Sequence, residues 1–131
     1  MYMEAVDWKP THDKIKKIAS ELNKKYPNAD FSEGDCGVFA LYLLKVFGKG
    51  TVSEVLTSEE PERALHYLYQ LDHNYYDERG AIDEQELKDN FTFYDRDSIE
   101  IVDGKTMKDS KEILSRTNPK LKPAQIKELL F

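Results

Sequence analysis

The spacing of apolar and polar positions divides the chain into a helical front, a strand-rich middle and a helical end. Ile15, Ile18, Ala19 and Leu22 recur at helical spacing, which predicts a helix from an N-cap at Thr11 to about Tyr26, stopped by Pro27 and Asn28. A second helix is expected from Asp35 or Cys36 to Phe47, with Gly48 as its C-cap. Its run "VFALYLLKVF" is apolar nearly all round, the mark of a central, buried helix.

Beyond Gly48 the periodicity shortens. Thr51 to Leu56 reads equally as a short strand or a helical turn, and "SEEPER" is a polar break around Pro61. The stretch "ALHYLYQLDHNYYDERG" is rich in aromatic and β-forming residues on either side of Asp72-His73-Asn74, and predicts a β-hairpin. Asp83 with Glu86 has the spacing of a capping box for a short helix to about Asn90, and "SIEIVDG" reads as a further strand and turn. Two short helical patterns close the chain, near Lys108–Arg116 and Pro123–Leu130, separated by Asn118-Pro119. The expected fold is α+β. A buried, cysteine-bearing helix packs on a small antiparallel sheet, with additional helices at the C-terminus. One domain is expected over residues 1–131, with its core at about 31–104 and a helical extension at about 105–131.

Composition narrows the partners. Apolar residues make up 40% of the chain and charged residues 34%, as in a globular protein. The net charge of −6 argues against non-specific nucleic-acid binding, which needs basic patches. Lys14, Lys16, Lys17, Lys24 and Lys25 fall where a helix faces solvent. No segment is long and apolar enough to span a bilayer, and "MYMEAVDWKPTHDK" lacks the features of a signal peptide. A cytoplasmic protein without membrane association is therefore expected. The one cysteine excludes an internal disulfide. No phosphate loop or metal-ligand spacing is present, and Asp95, Asp97, Glu100 and Asp103 lack the pattern of a calcium loop, so neither cofactor nor metal is expected. Tyr67, Tyr69, Tyr75 and Tyr76 are expected as cross-strand packing.

The candidate chemistry centres on "GDCGVFA". At the first turn of a helix, the Cys36 sulfur lies near unsatisfied N–H groups and the positive end of the helix dipole, both of which favour thiolate. Gly34 and Gly37 are expected to leave the sulfur approachable, and the Cys36 N–H to face a developing oxyanion. A thiolate nucleophile needs an imidazole, and the imidazole an acceptor. A two-residue turn at Asp72-His73 would set Asp77 across from Leu68 and diagonal to His66, roughly 7–8 Å between backbones and on one face. His12, at the start of an amphipathic helix, and His73, in the turn, are expected to be solvated. Taken singly, Cys36 is more simply a small core residue and His66 a structural histidine. Their conjunction with Asp77 suggests more.

In this order, "GDCGVFALYLL" followed by "LHYLYQLDHNYYDERG" resembles the papain-like and transglutaminase-like cysteine enzymes, and most closely small Cys-His-Asp proteins of bacteria and phages. The likeness spans about Phe31 to Leu87. It implies Cys36 as nucleophile, His66 as general base and acid, and Asp77 as the orienting carboxylate. Where papain-like peptidases carry an upstream glutamine as oxyanion donor, this chain has Asp30 and Phe31, so Asn28 or Ser32 is expected to substitute, or else backbone N–H groups. The resemblance implies a small cysteine hydrolase or acyl transferase that attacks an amide of a protein or peptide through a thioester at Cys36. Proteolysis, deamidation and transamidation all share this chemistry. The alternative is a non-catalytic acidic binding module, or an inhibitor of a host protein, on the same scaffold.

Overall fold

The computed structural model describes residues 8–131. The stretch read as lacking a signal peptide begins with residues 1–7, which lie outside the described range. Helix α1 spans Trp8–Lys25 and buries Ile15, Ala19 and Leu22, the expected stripe. It begins before Thr11, so Thr11 is an interior residue and not the cap. Pro10 is tolerated there because first-turn N–H groups have no intrahelical partner.

Helix α2, Cys36–Phe47, has the predicted bounds and ends at Gly48 in the left-handed conformation (φ 70°). Five antiparallel strands follow: β1 (Thr51–Thr57), β2 (His66–Leu71), β3 (Asn74–Asp77), β4 (Gly80–Ile82) and β5 (Ile99–Lys105), in the spatial order β4-β3-β2-β1-β5. The ambiguous segment after Gly48 is thus a strand, held between β2 and β5. Strand β4, a three-residue edge, carries too few residues to show a period in the sequence. The capping box at Asp83 and Glu86 forms and starts α3, Glu84–Asp89. Helices α4 (Ser110–Ser115) and α5 (Pro123–Leu130) complete the chain.

Alternation along the strands sorts the core into two clusters. Val52, Tyr67, Tyr69, Leu71 and Tyr76 pack with α1 and α2, while Val55, Leu68, Ile82, Leu87 and Ile99 form a second cluster. The hairpin turn is the two-residue one: Asp72 and His73 both have positive φ, and Tyr69 pairs with Tyr76 and Leu71 with Asn74. The C-terminal segment is not an appendage to this core. Ile113, Leu121, Leu129 and Leu130 belong to the same cluster as Cys36, Leu41 and Leu43. Among the described residues, no helix is long and apolar enough to cross a membrane.

Candidate active site

Cys36 opens α2, His66 opens β2 and Asp77 closes β3. Continuing the observed β2–β3 register by one pair sets Asp77 opposite Leu68, so His66 and Asp77 share one side of the hairpin. Their side chains meet. Nε2 of His66 lies 3.2 Å from Oδ2 of Asp77, and both residues are buried, each 3% exposed.

Asp77 is held from its other side by the turn that follows it. The Arg79 backbone N–H donates to Oδ1 at 2.9 Å, and the guanidinium donates to Oδ2 through Nη2 at 2.5 Å. Burial works against ionisation of Asp77, but the hydrogen bonds from His66 and Arg79 outweigh it and lower its pKa to about 2. An ionised carboxylate only accepts, so the proton in this contact sits on Nε2 of His66, and Nδ1 is left for a second partner.

The Cys36 thiol lies near enough to the ring to affect its titration. Burial disfavours a charged ring, yet Asp77 first and Cys36 second reverse that effect and raise the His66 pKa to about 10. Helix α2 packs against β2 mainly on the far side of the sheet, but its first turn reaches the strand where His66 begins. A side chain at Gly37 would come within 3.3 Å of the Tyr67 ring. The structure therefore joins His66 to Asp77 directly and sets the first turn of α2, with Cys36, beside the start of the same strand.

The surroundings differ from expectation in three respects. First, the glycines do not expose the sulfur. A Cβ at Gly34 would stand 2.2 Å from the Asn118 carbonyl oxygen, and one at Gly37 would meet Ile113 at 2.8 Å, so both positions are small because the C-terminal segment packs onto them. Cys36 is only 2% exposed. Second, the expected oxyanion donors are engaged. The Cys36 N–H donates to Glu33 O at 3.1 Å, the Asn28 amide donates to Lys120 O and Gln125 Oε1, and the Ser32 hydroxyl donates to Asp30 Oδ1. Ser32 alone of these lines the cleft that reaches His66. Third, His12 is not simply solvated. Its Nδ1 accepts the Ala81 N–H at 2.8 Å and docks α1 on the edge strand β4, where Gly80 (φ 93°) makes room for the ring. His73 is exposed, as expected.

Sequence reasoning missed Asp35. Fully buried, it accepts backbone N–H groups from Asp30 through Oδ2, and from Lys120 and Leu121 through Oδ1, at 2.8–3.1 Å. It fastens the C-terminal segment over the start of α2. A polar residue at a helix N-cap position suggests local capping, and its side chain makes no such bond here. Arg79 was also missed, although its place two residues after Asp77 was visible.

A cleft of about 840 Å³ opens beside the histidine, lined by His66, Glu78, Arg79, Phe91, Arg116 and Thr117 among others. Ligating atoms of His66, Asp77 and Glu78 lie within 4.8 Å of one another, a spacing that could hold a cation, but the Arg79 guanidinium already occupies the Asp77 carboxylate. Comparison with protein-family models, curated proteins and solved structures finds no match to this chain.

Proposed function

We propose that the chain is a small cysteine hydrolase or acyl transferase acting on an amide of a protein target through a thioester at Cys36. One observation carries this reading: a buried imidazole is bonded to an ionised carboxylate, and the only thiol of the chain lies near enough to the ring to raise its pKa. In the reaction the His66 imidazolium, already protonated at neutral pH, accompanies the sulfur as it attacks the carbonyl, and gives its proton to the departing nitrogen as the C–N bond breaks. Asp77 keeps the ring oriented and stabilises the imidazolium between these steps. Water or an amine then attacks the thioester and releases the thiol.

A second reading has its own support. Cys36 is almost fully buried and packs among core residues, as a cysteine does in a non-catalytic scaffold whose acidic surface binds a basic protein. Acyl transfer from a p-nitrophenyl ester separates the two. The enzyme reading expects p-nitrophenolate release and an acyl adduct on Cys36, both absent from Cys36→Ala and slowed in His66→Ala. A wild type that forms no adduct, or forms one as fast without His66, leaves the binding module.

A further inference from the structure

Among the described residues, three buried side-chain polar atoms have no hydrogen-bond partner: Oε1 of Glu78, Nε of Arg116 and Oγ1 of Thr117. All three residues line the cleft that reaches His66. Buried polar atoms are nearly always satisfied, and their convergence on one concave surface marks a place where a ligand supplies the missing partners. The three are not equivalent. Arg116 Nε has its charge answered by Glu54 Oε2 at 3.0 Å, and a threonine hydroxyl can rotate towards donor or acceptor. Glu78 Oε1 is the open atom of an acidic group beside the imidazole, while its Oε2 faces Arg79 Nε at 3.8 Å.

We propose that Glu78 is a specificity-determining residue whose Oε1 accepts an N–H donor on the nitrogen side of the amide that Cys36 acylates or forms. The inference rests on the reading of Cys36 and His66 as the reacting pair. In that chemistry the imidazole protonates the departing nitrogen or deprotonates the incoming one, so a carboxyl group beside it borders the nitrogen and not the acyl chain. The substrate class follows. The departing group is ammonia or a primary amine, or the acceptor is a primary amine such as a lysine side chain. Esters and tertiary amides offer no N–H to this oxygen. Burial, and then the charge of Asp77, disfavour ionisation of Glu78, which makes an ammonium or amide N–H partner the more valuable to it.

The test uses three symmetric disulfides of similar size, which carry the same group on the transferred and on the departing side: bis(2-ammonioethyl), bis(2-hydroxyethyl) and bis(2-sulfonatoethyl) disulfide. Each transfers one alkylthio group to the Cys36 thiolate, forming a mixed disulfide and expelling the other half as a thiolate. The wild type is expected to react faster with the cationic than with the neutral probe, by on the order of tenfold, and most slowly with the anion. Glu78→Gln, nearly isosteric, should reduce that cation-to-neutral ratio at least fivefold, while Glu62→Gln on the same cleft leaves it in place. A ratio near 1 in the wild type, or equal loss in both variants, overturns the proposal, and the wild-type ratio decides the matter alone if Glu78→Gln does not fold. If the neutral hydroxyethyl probe labels wild type and His66→Ala at the same rate, the reacting pair itself fails and the proposal falls with it. If that comparison holds but the charge ratio ignores Glu78, the Glu78 assignment alone is wrong.

Discussion

His66 Nε2 and Asp77 Oδ2 stand 3.2 Å apart inside the protein, although they lie 11 positions apart along the hairpin. A two-residue turn at Asp72 and His73 fixes the register that makes this contact possible. Replacing the carboxylate by an amide keeps the shape and removes the charge that stabilises the imidazolium. In Asp77→Asn the His66 pKa should therefore fall towards or below the ordinary imidazole range, since burial then acts with less opposition. Imidazole nitrogen chemical shifts followed against pH measure this, and an unmoved His66 titration would disprove the coupling.

The same contact sets a pH window for stability. The folded pKa of His66 is raised from 6.5 to about 10, so its contribution is complete below about 6.5 and is lost as the pH climbs towards 10. The folded pKa of Asp77 is lowered from 3.8 to about 2, so its contribution is present above 3.8 and lost as the pH falls to about 2. Urea midpoints should form a plateau between these limits and decline on both flanks, with shallower flanks in Asp77→Asn. Stability that rises between pH 7 and 10 would contradict the assignment.

Asp35→Ala leaves the N–H groups of Asp30, Lys120 and Leu121 without their carboxylate acceptor in a buried site. The expected loss is about 3–5 kcal/mol in urea unfolding, because buried donors remain unpaired. Hydrogen exchange gives the sharper readout. The Lys120 and Leu121 amides should exchange much faster in the variant, whereas protection that persists there would mean the C-terminal segment is held by its apolar contacts alone.

Leu43, fully buried in the middle of α2, should cost about 2–5 kcal/mol when replaced by Ala. The change leaves the site residues in place, so thermal unfolding should shift while the Asp77-dependent titration of His66 stays as in the wild type. A loss below about 1 kcal/mol would mean the α2–sheet core collapses readily around the gap.

The elements set by local chemistry were readable in the chain. The bounds of α2 follow from a continuous apolar run and a left-handed glycine, and the Asp83 cap from its partner three residues on. The His66–Asp77 contact was legible because strand parity and turn length fix it arithmetically. What escaped is long-range. Asp35 bonds to residues 85 and 86 positions away, and His12 to one 69 away, and no local pattern announces either. Gly34 and Gly37 were read as access to the sulfur because a glycine reports a close approach without saying by what. Here the approaching atoms are Asn118 O and Ile113.

The most direct measurement is the pH dependence of Cys36 alkylation by iodoacetamide in the wild type and in His66→Ala. The two chains differ only at position 66, so the comparison reports on the imidazole. If His66 activates the thiol, the wild type reacts readily at pH 6–7, and the variant requires a pH closer to that of an ordinary thiol, about 8.5. Identical profiles for the two chains would contradict the account and leave Cys36 as a packing residue.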